Sequence, residues 1–486
     1  MERIKHAGWI AEAAACMLLA VLVTAAQAAE IGTTENREQV SRGGLVDESG
    51  QTVVLGDERA DVYLPLLSGK QVALFSNQSG IVGNRILNRE NSLQSTENSL
   101  GNTEKSSQNR EKSSDPAIGE GLLPFGKNPD GSEVVYGEHI LDVLVRQGVD
   151  VTVVFSPEHG FRGTADAGAQ VGDSIDEKTG IPVHSLYGGG SMPLSAEDLD
   201  QFDVLVVDIQ DVGLRYYTYY ITLYSLMDAC ASAGKEVVIL DRPNPNGFYV
   251  DGPILQPEFA SGVGLLPLPV VHGMTMGELA QMINGEGWLA SGKGTCDLTV
   301  VSCENYTHRT RTALVTRPSP NLKDMRAVYL YASTCFFENT AFSVGRGTEY
   351  PFELYGSPYL QDSSLSEDAF SFIPVSMEGA VSPPFEGQEC FGRDLREIPL
   401  ARIMQEQIDL RYLLEAREAL LETRPDISFF GTPDGAGHYW IDYLFGTDEV
   451  RRQIEDGSSA AEIEASWQED VEEFCRQRRP YLLYAE

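Results

Sequence analysis

VTVVF at 151–155, VLVV at 204–207 and EVVIL at 236–240 decide the fold. The first two are apolar along their whole length and EVVIL is apolar after its first residue, so none alternates. That is the pattern of a strand covered on both faces of a sheet. Between and around them the period changes. EHILDVLVRQ at 138–147 has helical spacing, with Ile140, Leu141, Leu144 and Val145 on one face, and 222–233 is a second helical stretch. Thr275-Met276-Gly277-Glu278 is a capping box that opens a third helix. QVALFS at 71–76 and the run at 298–301 add further strands. Apolar strands alternating with helices define an α/β protein, a Rossmann-like parallel sheet domain over 53–305. A smaller α+β domain follows over 306–486, with helices expected at 408–421 and 461–476. No Gly-x-Gly-x-x-Gly turn follows the first strand, so a dinucleotide cofactor is not expected.

The flanking sequence reads differently. Arg3, Lys5 and His6 precede an apolar run at 13–26, and Ala26-Gln27-Ala28 has the small-x-small form of a cleavage site. Residues 1–28 therefore read as a secretory signal peptide, shorter than a membrane span, and the mature chain is expected to be exported, periplasmic or extracellular. Its removal leaves about 450 residues, enough for two cores. Residues 29–52 read as a flexible leader. Residues 88–132 enclose a seven-residue repeat (RENSLQS, TENSLGN, TEKSSQN, REKSSDP) with no apolar seam, and read as a disordered insertion. The net charge of −36 repels phosphate backbones and argues against a nucleic-acid partner. It also means that an acidic ligand group must be met by local arginines. Six of the seven cysteines lie beyond the signal, none in a C-x-x-C pair, and Cys230 reads as a buried free thiol.

Ligands of open parallel sheets bind beyond the carboxyl ends of the strands. Here three of those ends are polar and turn-rich: SPEHGFRG (156–163), DIQDVGLRYYTY (208–219) and DRPNPNG (241–247). In the first, Pro157 and the glycines fix a close approach around Glu158, His159 and Arg162. A carboxyl in such a cleft serves as a general acid, against the plainer reading of a solvated loop carboxylate. Asp208, Asp211 and Asp241 are acid/base groups or hydroxyl acceptors, with loop caps and arginine pairs as the plain alternative. Gln210, Tyr217 and Asn244 are candidate sugar contacts, although four tyrosines at 216, 217, 219 and 220 cannot all face one cleft. No H-x-x-x-H, H-E-x-x-H or Gly-x-Ser-x-Gly pattern occurs, so neither a metal nor a serine nucleophile is expected. Against a hydrolase stand two other classes, a non-catalytic binding protein and a metal-dependent amidase or deacetylase.

With these loops the chain resembles the exo-β-N-acetylmuramidase family, glycoside hydrolases formerly catalogued as a domain of unknown function. The resemblance extends through LYGG (186–189), LDRPNP (240–245), HGMTMGEL (272–279), PSPNL (318–322), Phe337-Glu338, GRGT (345–348) and PFELYGSP (351–358). It implies release of terminal N-acetylmuramic acid from peptidoglycan-derived saccharides, without a cofactor. It also implies a cleft between the two domains, a role in wall turnover or scavenging, and a catalytic glutamate at Glu158. The second participant is then Asp208, Asp211 or the substrate's own acetamido group. Arg162, Arg215, Arg242 and Arg346 are candidate grips for the lactyl carboxylate, and Glu338 is a further candidate contact. Two departures stand out: the long insertion, and Gln388-Glu389-Cys390 where a histidine is expected.

Overall fold

The structure, a computed structural model, describes residues 53–83, 137–157, 161, 172–186, 194–291, 294–312, 314, 316–366 and 370–486. The signal segment, the leader and the 88–132 insertion lie outside the described residues, as do Glu158, His159 and Arg162. Seven strands form the main sheet: β1 (Gln71–Ser76), β2 (Asp150–Ser156), β3 (Ser174–Ile175), β4 (Pro182–Ser185), β5 (Val204–Asp208), β6 (Glu236–Leu240) and β7 (Asp297–Val301). Their order is β3-β4-β2-β1-β5-β6-β7, parallel throughout except for β3 at the edge. From β1 the chain builds outward through β2 and β4, then crosses to β5 on the opposite side of β1. The topological switch therefore falls between β1 and β5, where Ser76 pairs with Asp208.

One face of the sheet (Val72, Leu74, Val154, Val204, Val206, Val238) packs against Tyr63 and Leu67 of α1 (Ala60–Leu67) and Ile140, Leu141 and Leu144 of α2 (Ile140–Arg146). Each such side chain contributes about 1.5–3 kcal/mol by leaving water. Val145, expected on the buried face of α2, is exposed, and Val143 is buried in its place. Ile140, Leu141 and Leu144 are buried as read, and the buried face extends to Val143, three residues on from Ile140, rather than to Val145. His139 caps the helix, accepting from the Leu141 amide. The Thr275–Glu278 capping box forms as read, with Thr275 Oγ1 accepting from Glu278 N and Glu278 Oε2 accepting from Thr275 N.

The remainder carries a three-stranded antiparallel sheet in the order β8 (Leu354–Ser357), β10 (Cys390–Asp394), β9 (Ser371–Phe372), together with short helices. The helix read at 461–476 is two helices, Ala460–Ser466 and Gln468–Arg478. Trp467 breaks it, buried between them and donating its indole N–H to Asp251. Among the described residues the six cysteines are free thiols. No helix among them is long and apolar enough to cross a membrane.

The chain end returns to the first sheet. Tyr484 donates to Asp241 Oδ2 at 2.6 Å and accepts from Cys303 N at 2.9 Å, while Leu483 N donates to the buried Glu278. Tyr484→Phe leaves the Cys303 amide without its acceptor and Asp241 short of a donor. A loss of about 1–3 kcal/mol in unfolding free energy is expected by denaturant titration. An unchanged midpoint would mean that the tail is not part of the cooperative core.

Candidate active site

Among the described residues three stretches meet at the carboxyl edge: the loops after β5 and β6, both picked out from the sequence, and a turn that was not. The addition is the turn after β1. Asn77 Oδ1 accepts from both the amide and the hydroxyl of Ser79, and its Nδ2 donates to the Tyr219 hydroxyl. Ser79 Oγ accepts in turn from Gln210 N at 2.9 Å, tying the turn to the loop after β5. His139 accepts at Nδ1 from Leu141, which leaves Nε2 to donate to Asn77 O at 2.8 Å. Gln78 Nε2 donates to Arg317 O, and the hydroxyls of Tyr217 and Tyr219 donate to Pro318 O. The PSPNL segment is thereby held against the switch point.

Asp208 and Arg242 come together, but as an internal clamp. Arg242 Nε donates to Asp208 Oδ1 and Nη2 donates to Asp57 Oδ2, each at 2.6 Å, with all three side chains buried. Asp57 was not singled out in the sequence. Its GDER setting carries no pattern, and only the fold brings it under the ends of β5 and β6. Burial pushes the Asp57 carboxyl up to about 7 against the pull of Arg242. Arg215 and Arg242 are therefore corrected as grips for a substrate carboxylate. Arg215 is fully buried and donates to the carbonyls of Pro253, Leu268 and Leu444. Burial pushes its guanidinium down to about 10.

Three other expected contacts are also occupied. Asp241 accepts from Thr275, Gly277 and Tyr484. Asn244 donates to Met274 O and accepts from Asn246 N. Tyr217, buried with its hydroxyl on Pro318, does not offer a stacking face in the way the sequence reading expects. The tyrosines instead dock the two parts of the chain, with Tyr216 donating to the carbonyls of Tyr331 and Ala332.

Asp211 is different. Its Oδ1 accepts from Gly213 N at 2.6 Å, whereas its buried Oδ2 has no partner among the described residues. The turn requires glycine at 213, which has φ +77° and whose Cβ would lie 2.2 Å from the Asn244 amide. Burial raises the Asp211 carboxyl to about 7 despite the neighbouring backbone N–H groups. Gln210 donates to Asp211 O and Pro243 O, and its Oε1 is likewise buried without a partner. Gln78 Oε1 is a third such acceptor. Three buried acceptors at the carboxyl edge thus remain unmatched among the described residues.

Beyond Tyr217, the Tyr331 ring packs edge-on at 6.4 Å and leads to Phe352 at 4.7 Å. Arg346 lies over Phe352 and donates through Nε to Glu338 at 2.8 Å. Glu338 and Arg346, far apart in sequence from the β5 loop, are thus linked to Tyr217 of that loop through the rings of Tyr331 and Phe352. Among the described residues no group of three His, Cys, Asp or Glu side chains could hold a metal ion.

Fold and edge together define a two-part α/β protein with a carboxyl-bearing, acceptor-rich site at the topological switch. Residues 128–326 match the N-terminal part, and residues 329–484 the C-terminal part, of the exo-beta-N-acetylmuramidase NamZ family. The chain belongs to that family. The peptidoglycan beta-N-acetylmuramidase NamZ of Bacillus subtilis (strain 168) is 37% identical over 369 residues, covering 74% of this chain and 85% of that protein. A crystal structure of a DUF1343 family protein from Bacteroides fragilis NCTC 9343 matches with a TM-score of 0.70 at 41% identity, covering 90% of this chain and 100% of that one. A second DUF1343 structure from the same organism has a TM-score of 0.66 at 24% identity over 89% and 99% of the two chains, and shows the fold alone.

The raised Asp211 carboxyl has a consequence for stability. It keeps its proton in the folded chain to higher pH than in the unfolded chain. The stability this proton contributes is complete below about pH 4 and is lost as pH rises through about 7. Asp211→Asn is expected to raise the thermal midpoint by a few degrees near pH 8 and to change it little near pH 4. A midpoint at or below that of the wild type near pH 8 would show that the ionised carboxylate is compensated in solution.

Proposed function

We propose that this chain is an exported exo-acting glycosidase that releases terminal N-acetylmuramic acid from peptidoglycan fragments during wall turnover or scavenging. The observation that carries the reading is the family match through both parts of the chain, centred on a sheet edge whose polar groups suit a sugar. The reaction needs a proton for the leaving oxygen and stabilisation of positive charge developing on the ring. Glu158, two residues beyond β2, is the general acid. Asp211 is the second carboxyl. Its Oδ2 has no hydrogen-bond partner among the described residues, and as a buried anion it stabilises the oxocarbenium-like centre more strongly than an exposed carboxylate does. Asp208 is the poorer choice, because Arg242 already holds one of its oxygens. Gln210 and Gln78 supply acceptors for hydroxyl or amide N–H groups.

Turnover of a defined muramyl-glucosamine disaccharide by the mature chain tests the reaction. Glu158→Gln, folded as judged by its melting curve, should lose roughly 10²–10⁴-fold in kcat/KM. Full activity in that variant would move the acid elsewhere, and no turnover by the wild type would remove the hydrolase reading. The activity of the wild type should also rise as pH passes through about 7, where Asp211 ionises, and this limb should vanish in Asp211→Asn.

Residues 1–28 act in export, a reading supported by the basic start, the apolar run and the Ala26-Gln27-Ala28 site. Protein recovered from the periplasm or medium of an expressing cell should begin at Ala29. Uncleaved chain confined to the cytosol would overturn the export reading.

A further inference from the structure

The geometry points to Arg346 as the residue that selects muramic acid over glucosamine, by gripping the lactyl carboxylate with the open edge of its guanidinium. This rests on the glycosidase reading above and deepens it. Muramic acid differs from glucosamine by one anionic substituent, so discrimination needs a positive group with unspent hydrogen-bonding capacity beside the sugar site. A protein of net charge −36 supplies no general attraction for an anion.

Of the four arginines considered, Arg162 lies outside the described residues. The guanidinium of Arg215 is turned onto three backbone carbonyls, and that of Arg242 is closed between two carboxylates. Arg215 and Arg242 each keep one unpartnered nitrogen, Nε and Nη1, but both are buried, whereas Arg346 is partly exposed and only partly used. Its Nε donates to Glu338 at 2.8 Å and its plane lies 4.9 Å from the Phe352 ring centroid. These two contacts fix the direction of the fork. Its terminal nitrogens meet no hydrogen-bond partner among the described residues, and the side chain keeps 21% exposure. The rings of Phe352 and Tyr331 connect Arg346 to Tyr217, which belongs to the same loop as Asp211.

The molecule contains the completed form of the same arrangement. Arg242 is held at Nε by Asp208 and at Nη2 by Asp57. Arg346 has the first carboxylate, Glu338, and lacks the second. A lactyl carboxylate entering on the terminal nitrogens would complete it with two parallel N–H···O bonds, while Glu338 keeps the guanidinium oriented.

The test pairs a change in the protein with a change in the substrate. The mature chain and its Arg346→Gln and Arg346→Lys variants are assayed on an aryl β-N-acetylmuraminide and on its lactyl amide, which has the same shape without the charge. The wild type should prefer the acid by roughly 10- to 100-fold in kcat/KM. In Arg346→Gln the ratio should fall close to one. In Arg346→Lys, which keeps the charge and loses the fork, it should be intermediate. A wild-type ratio near one, or a full preference surviving in either variant, overturns the assignment. Should Arg346→Gln fail to fold, the wild-type ratio and Arg346→Lys decide by the same criteria. If the wild type turns over neither substrate, it is the glycosidase reading that fails. Calorimetric binding of free N-acetylmuramic acid against N-acetylglucosamine then reads the role of Arg346, with equal affinities overturning it.

Discussion

A single buried guanidinium organises the carboxyl edge of the sheet. Arg242 leaves the end of β6 and is held by Asp208 from the end of β5 and by Asp57 from the segment that precedes α1. Three pieces of chain, distant in sequence, are fixed at one point with all three side chains out of water. Two carboxylates face one cation there, and burial leaves Asp57 ready to share a proton near neutrality. Such an arrangement is weak evidence for net stability, because desolvation consumes most of the attraction. Its value lies in position. Removing one member would strand the others uncompensated, on the order of 3–5 kcal/mol, so the loops that leave these strands depart from a fixed base.

Around that base the polar groups divide into two kinds. Asp241, Asn244, Arg215 and the tyrosines at 216, 217 and 219 are engaged by the protein and serve to join loops or to dock the two parts of the chain. Asp211, Gln210 and Gln78 retain buried acceptors with no donor. An unmatched buried acceptor costs about 1–3 kcal/mol, and three in one neighbourhood conflict with stability as the only purpose of the site. A ligand that brings donors resolves the conflict. The same reasoning explains why Asp211, on a turn closed by Gly213, is held away from the arginines that neutralise its neighbours.

The sheet was legible because burial on both faces writes itself into single short segments: 151–155, 204–207 and 236–240 carry the whole signal. The capping box at Thr275 was legible for the same reason, since its partners lie three residues apart. What failed to show was everything decided by distant partners. An arginine that grips a substrate and one that ties three carbonyls together look alike in sequence, and Arg215 proved to be the second kind. The helix break at Trp467 was misread because an indole bond to Asp251 overrode local spacing, and at α2 tertiary packing buried Val143 rather than Val145. Asp57 had no local pattern at all, and its role exists only once β5 and β6 stand side by side.

The acidity of the chain and the scarcity of open cations are connected. With twice as many acidic as basic side chains, most arginines that fold into the interior are neutralised where they lie, as at Arg242, or are spent on backbone carbonyls, as at Arg215. A positive group therefore stays available for a ligand only where the fold limits how many acids can reach it. At Arg346 that limit is set by the aromatic ring of Phe352 on one side and a single carboxylate, Glu338, on the Nε edge. Glu338 partly offsets the positive charge but also fixes the plane in which the remaining N–H groups point. A fixed plane favours a carboxylate that can meet two parallel donors over a diffuse cloud of counterions, and so converts a modest local charge into selectivity for one shape of anion.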